Sequence, residues 1–225
     1  MIAKRRSLVI FGTGDLGVLA HCYFSSDSDF EVAAFTVDRE RRDGSSLLGI
    51  PVVAFDELEA RFPSRDHWLF VAIGYTQLNE PRAERCALAR KMGYRLASYV
   101  GSRSITWPDL ILGDNCMIMD GVIIQPGARL GKGVIVWSGA FIGHHANIGD
   151  NSFVSAQAVL AGRVRLGTRC FVGINATVRE NIHLGDSSIV GAAGLILADS
   201  KAETVYIESA TAKAAMPSAR LRGML

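Results

Sequence analysis

From Leu112 onward the chain places Leu, Ile or Val at every sixth residue without a miss: Leu112, Ile118, Ile124, Leu130, Val136, Ile142, Ile148, Val154, Leu160, Leu166, Val172, Val178, Leu184, Val190 and Ile196. A helix repeats its buried face every three or four residues and a strand every two, so neither explains this spacing. A strict period of six predicts a solenoid β-helix, in which each unit makes one flat side of a coil. Three sides close a triangle, so one coil takes eighteen residues. Stacking by eighteen gives three columns: Leu112, Leu130, Ile148, Leu166, Leu184; Ile118, Val136, Val154, Val172, Val190; and Ile124, Ile142, Leu160, Val178, Ile196. Gly often follows the repeat residue (Gly113, Gly131, Gly143, Gly149, Gly167, Gly173, Gly185, Gly191) and is expected to supply the backbone angles of the corners. Two positions before the repeat residue the side chain is usually small, as at Cys116, Ala128, Ala140, Ala146, Ser152, Ala158, Cys170 and Ala176.

The first hundred residues follow another rhythm. Residues 7–11 read as a buried strand, Gly12-Thr13-Gly14-Asp15-Leu16-Gly17 as a loop, and Val18 to Tyr23 as a helix. A second strand from Phe30 to Val37 ends at Asp38. This order of strand, glycine loop, helix, strand and acid is that of dinucleotide-binding units. Gly12 makes the turn, Gly14 lets amides approach a ligand, and the helix N-terminus favours phosphate. Asp38 is placed to accept from a ribose or sugar hydroxyl; the pattern leaves open whether the ligand is a dinucleotide or a nucleotide-sugar. Short strands follow at residues 49–53 and 68–73, with Asp56 as a candidate N-cap between them. Gly74 and Tyr75 close the second of these on the ligand side of a parallel sheet, or Tyr75 packs on the next helix. That helix, residues 79–92, is rich in Arg and Ala. Arg95 to Val100 reads as the last strand, and 101–109 as a linker. The expected division is 1–101 for a small nucleotide-binding domain, 102–198 for the solenoid, and 199–225 for a tail covering the last coil.

Bulk properties narrow the classes. The chain has 225 residues, a net charge of +2 and 49% hydrophobic residues. No basic field argues for nucleic acid, and no stretch reaches the roughly 18 apolar residues of a membrane span. Lys4, Arg5 and Arg6 precede a short apolar run that meets the glycine loop, which reads as a strand rather than a signal peptide. Four scattered cysteines (Cys22, Cys86, Cys116, Cys170) fit a reducing compartment, and a cytoplasmic protein is expected.

A flat-sided solenoid must project its chemistry outward. His144 lies two positions past Ile142, outside the core, and eighteen residues later stands Gly162. Adjacent coils are about 4.8 Å apart, so a base sits beside an unobstructed amide, the minimum for acyl transfer. His145 is expected to pack on or orient His144. No metal site is expected: His144 and His145 do not easily share an ion, His183 lies on another side, and no third ligand has matching spacing. No Ser/His/Asp elbow is present.

These features together resemble the bacterial nucleotide-sugar acyltransferases of the PglD/NeuD type. The resemblance rests on Gly12 to Gly17 ahead of hexapeptide repeats, and on Ile142-Gly143-His144-His145-Ala146-Asn147-Ile148-Gly149-Asp150. It rests also on Ala161-Gly162-Arg163-Val164 and on Cys170 to Ala176. It implies a Rossmann-like parallel β/α domain followed by a left-handed parallel β-helix. It implies acetyl-CoA as co-substrate, a nucleotide-linked amino sugar from glycan synthesis as acceptor, and a homotrimer with active sites between subunits. His144 would be the general base, Gly162 would steady the thioester oxygen, and Gly173, Ile174, Gly191 and Ala192 would line the coenzyme groove. Gly12, Thr13, Gly14, Asp15, Asp38, Gly74 and Tyr75 would hold the nucleotide-sugar, with Trp137 placed either to stack on substrate or to pack in a core or at an interface. Departures are His145 where relatives carry an acid, Phe153 and Leu16 where they carry histidines, and Ser209 to Lys213 in place of their usual ending. Sugar O-acetylation, a non-catalytic nucleotide-sugar scaffold, and an NAD-linked oxidoreductase stand as alternatives.

Overall fold

The computed structural model describes residues 5–207. The chain opens with β1 (Arg6–Phe11), α1 (Asp15–Ser26), β2 (Phe30–Val37), β3 (Ser46–Leu47), β4 (Ile50–Ala54), α2 (Leu58–Arg61), β5 (His67–Val71), α3 (Glu80–Lys91) and β6 (Arg95–Leu96). Six strands form one sheet in the order β3-β4-β2-β1-β5-β6, parallel throughout except for the β3–β4 pair. The central strands run apolar because both faces are covered. Leu8, Ile10, Phe35 and Phe70 face α1 with Phe24. Val9, Phe11, Leu69 and Val71 face α3 with Cys86 and Ala89. Asp56 does not cap α2: the helix start has no side-chain cap, and Asp56 instead accepts from Arg39 at 2.9 and 3.0 Å.

The expected strand from Arg95 to Val100 is two strands. Arg95–Leu96 pairs with Trp68–Leu69 in the first sheet, whereas β7 (Tyr99–Val100) pairs with Met117–Ile118 and starts the solenoid. The solenoid has three parallel sheets, and they are the three columns predicted from the period of six. Face A stacks Leu112, Leu130, Ile148, Leu166 and Leu184. Face B stacks Val100, Ile118, Val136, Val154, Val172, Val190 and Tyr206. Face C stacks Ile124, Ile142, Leu160, Val178 and Ile196. These side chains and the small residues before them make one continuous core. The tail adds Val205–Tyr206 to face B; residues beyond 207, including Ser209 to Lys213, lie outside the described residues.

The glycine after each repeat residue has another role than the one expected. Positive φ falls two residues later instead, at Asn115, Gly121, Gly127, Gly133, Gly139, His145, Asn151, Gln157, Arg163 and onward by sixes. The earlier glycine is required by contact. A Cβ at Gly143 would lie 2.5 Å from Gly162 N, and one at Gly173 would lie 2.6 Å from Ala192 N. The next coil crosses that point with its backbone.

The first domain sits on face B and the corner between faces A and B. Met117, Ile135 and Phe153 project outward from face B into the same apolar cluster as Phe24, Phe70 and Tyr99. Polar side chains fix the join. Asn115 accepts from Val71 N at 2.7 Å and donates to Val71 O at 3.2 Å, in effect lending β5 another strand residue. Arg90 donates twice to Asp114, at 2.7 and 2.8 Å. The fully buried Arg82 donates to Gly133 O (3.0 Å) and Asn151 O (2.8 Å) of the solenoid and to Ile73 O (2.9 Å) and Gly74 O (2.6 Å) of the first domain.

Candidate active site

Two separate places carry the candidate residues. The first is a cavity of about 760 Å³ at the ends of β1, β2 and β5. Gly12, Thr13, Gly14, Asp15, Asp38 and Gly74 all line it, as the glycine loop implies. Gly12 has φ +116°, and a Cβ there would lie 2.8 Å from Ala72 O, so only glycine fits the turn. Gly14 caps α1 without a side-chain bond, which leaves the first-turn amides to a ligand. Asp38 is not a bare carboxylate. Arg85 binds its two oxygens at 2.8 and 2.9 Å and lies over the Phe11 and Phe55 rings at 4.4 and 4.7 Å. Arg41 also lines the cavity and has no ion pair among the described residues. The sequence reading missed both arginines; the basic run in the third helix was the available signal for Arg85.

Tyr75 and Trp137 do not line this cavity. Tyr75 turns to face B, with ring centroids 5.1 Å from Phe153 and 4.9 Å from Phe171. It packs on the solenoid rather than on the following helix. Trp137 is half-buried and lies 6.2 Å from Phe153 in the same cluster.

The second place is the corner between faces C and A, opposite face B. Here His144 and His145 are both exposed. Their rings stand at 82°, with the two Nδ1 atoms 3.1 Å apart. They point opposite ways along the stack. A Cβ at Gly162, one coil on, would lie 2.5 Å from His144 Nε2; a Cβ at Gly127, one coil back, would lie 2.9 Å from His145 Cδ2. The bare Cα at 162 is therefore the floor on which the His144 ring rests.

Two backbone amides at this corner are capped by a side chain. Gly127 N donates to Asp109 at 2.7 Å and His144 N donates to Gln125 Oε1 at 3.0 Å. The residue related to Gly162 as Gln125 is to His144 is Gly143, which has nothing to offer. Among the described residues the Gly162 N–H has no partner, beside the imidazole edge. Gln125 was not singled out in the sequence and Gly143 was read as a corner glycine; their role here shows only once the eighteen-residue register is followed amide by amide.

Gly173, Ile174, Gly191 and Ala192 are elsewhere, at the corner between faces B and C, where Ile174 and Ala192 are exposed. One chain thus carries its candidate base and its expected coenzyme groove on the two edges of face C. The outward column of that face is Ile123, Phe141, Val159, Thr177 and Leu195, apolar but for one threonine. Face A by contrast shows Arg129, Asn147, Arg165 and His183 after Ile111 in the first coil.

A family model described as bacterial transferase hexapeptide (six repeats) matches residues 109–144, and one described as hexapeptide repeat of succinyl-transferase matches residues 163–198. PerB from Caulobacter crescentus, solved with CoA and GDP-perosamine, is 28% identical. The match covers 88% of this chain and 92% of that one with a TM-score of 0.77. The chain is a hexapeptide-repeat acyltransferase. Its glycine-loop domain ahead of a left-handed parallel β-helix is the build of the PglD/NeuD type. The acetyltransferase domain of PglB from Neisseria gonorrhoeae, solved with acetyl coenzyme A, shares the fold at 23% identity, with a TM-score of 0.80 over 89% of this acyltransferase and 95% of that domain. Among curated proteins, no sequence matches it. No helix among the described residues is long and apolar enough to cross a membrane.

Proposed function

We propose that this acyltransferase moves an acetyl group from acetyl-CoA to the amine of a nucleotide-linked amino sugar. The observation that carries the reading is the His144 imidazole lying over Gly162, beside an amide with no other partner. The likeness to PerB, which was solved with CoA and a GDP-sugar, supports the choice of substrates.

The reaction needs no covalent intermediate when both substrates are held together. The sugar amine attacks the thioester carbonyl, forming the C–N bond. The carbonyl oxygen, now carrying charge, accepts from the Gly162 N–H. His144 takes the amine proton at Nε2. The C–S bond then breaks and the departing sulfur takes that proton, leaving an amide and CoA. For Nε2 to be free, the His144 proton must sit on Nδ1, where it is donated to the Nδ1 lone pair of His145. His145 so replaces the acid expected after the base, as a neutral acceptor.

The cavity of the first domain and His144 belong to different sides of the prism, and no solenoid residue lines that cavity. Substrate held there meets the His144 of a neighbouring copy. The apolar face C, edged by the catalytic corner and the Gly173–Ala192 corner, is suited to be covered by a second chain. Three copies arranged in a ring satisfy every face C, and light scattering is expected to give three times the chain mass.

The test is release of free thiol from acetyl-CoA by the purified protein over a panel of nucleotide-linked amino sugars. Thiol release that depends on the amino sugar is expected, with a product acetyl stable to mild alkali as amides are. No release with any acceptor removes the proposal, and an alkali-labile product replaces the amine by a hydroxyl.

A further inference from the structure

Beside the catalytic corner, on face A, lies a second cavity of about 420 Å³ lined by His145, Asn147, Arg163, Arg165 and Asn181. Two columns of the solenoid meet there. His145, Arg163 and Asn181 stand one above another at the corner, each with φ between 57° and 61°. Asn147 and Arg165 are paired neighbours on the face A strands. Successive coils are about 4.8 Å apart, and residues two apart in a strand about 6.6 Å. The five side chains therefore line one patch about 10 Å along the stack and about 7 Å across.

Every lining residue carries an N–H donor, and none is a carboxylate. Arg163 and Arg165 are exposed and make no ion pair among the described residues, although other surface arginines do: Arg39 with Asp56 and Glu57, Arg90 with Asp114. The corner carboxylate nearest in register is Glu180, one coil beyond Gly162, and it does not line the cavity. Two guanidinium groups with amide and imidazole donors, and no internal acid, are a receptor for phosphate oxygens. Arg163 is also tied to the site, since its N–H donates to His144 O at 2.8 Å.

We infer that this face A cavity binds the phosphate or pyrophosphate end of a substrate whose other end reacts at His144. The inference rests on the proposed acetyl transfer and adds a subsite to it. The same chemistry has two sources: the phosphates of CoA, or the diphosphate of the nucleotide-sugar carried by a neighbouring copy.

The experiment is calorimetric titration of the full chain and of R163Q/R165Q with CoA, 3′-dephospho-CoA, GDP and UDP, at low and at raised salt. Circular dichroism and the melting temperature verify that the variant is folded; both substitutions lie on the surface. Loss of one charge-assisted contact weakens binding about tenfold or more, so the pair is expected to cost tenfold to a hundredfold. A loss for CoA with nucleoside diphosphates unchanged assigns the cavity to the coenzyme, and a smaller loss for dephospho-CoA places the 3′-phosphate there. The reverse pattern assigns it to the nucleotide-sugar. Equal affinities of the two proteins for all four probes, absence of binding included, overturn the inference. CoA bound equally well by both leaves the acetyl transfer standing, whereas a native chain that binds no CoA removes that reading by itself.

Discussion

The Nδ1 atoms of His144 and His145 lie 3.1 Å apart, so one ring must bring the proton and the other the lone pair. This makes the pair a unit whose second member is replaceable by another acceptor. His145 has φ +57°, which asparagine adopts more readily than alanine does. His144→Ala is expected to lower kcat by about 10²–10⁴-fold, the range for a lost general base. His145→Ala is expected to cost about tenfold, and His145→Asn, which keeps an acceptor, to restore most of that. Steady-state kinetics on the three variants checks this; equal losses in both His145 variants would deny the acceptor role.

Gly162→Ala tests the floor of the site. Its backbone is not left-handed, so alanine brings no strain of that kind. The new methyl would lie 2.5 Å from His144 Nε2 and must displace the ring. A misplacement of about 1 Å can cost 10²-fold in rate. The expected result is a loss of kcat of that order with a melting temperature within a few degrees of the native chain. Unchanged kcat would separate the ring from the chemistry.

Arg82 is the staple between the two halves. Burial pushes its guanidinium down to about 10, so it remains charged at neutral pH. Four backbone carbonyls accept from it. Arg82→Ala leaves them without a partner, each worth about 1–3 kcal/mol when buried. Urea unfolding is expected to show a loss of at least about 3 kcal/mol, or a first transition in which the first domain unfolds alone. Arg82→Lys, with fewer donors, is expected to fall between the two.

Asp27 gives the join an acid dependence. Ser102 N–H at 2.8 Å and Tyr99 O–H at 2.6 Å hold its carboxylate, and these bonds lower its pKa below the usual 3.8. A folded-state value below the unfolded one stabilises the protein above the unfolded value and ceases to do so as pH falls through the folded one. The melting-temperature difference between the native chain and Asp27→Asn is therefore expected to be constant above about pH 5 and to shrink as pH falls below the unfolded carboxylate value. A gap independent of pH would assign the effect to packing.

The solenoid was legible because its constraint is local and repeated. Each coil must bury one aliphatic per side, so the three columns of the sequence became the three faces without change. The His144–Gly162 neighbourhood followed from the same arithmetic. What did not follow were relations fixed by contact. The glycines after the repeat residues proved to be crossing points for backbone, and the corner angles fell on residues as unlike as Asn115, Gln157 and Arg163. Tyr75 reads along the chain as a ligand residue or as packing on the next helix, yet Phe153 and Phe171 offer it a packing site about eighty to a hundred positions away. Arg82 looks like any surface arginine of a basic helix until the solenoid closes over it.

The uniform coil also determines how such a chain changes in length. Eighteen residues inserted between His144 and the first domain would lengthen the prism by one storey and leave every side chain above on its own wall. Six residues would leave the aliphatic ladder equally intact but turn everything above by a third of a revolution, carrying His144 to a different edge and taking Asn151 and Phe153 away from the first domain. The aliphatic core would tolerate either insertion; only the first keeps His144 on the edge of the prism that it now occupies.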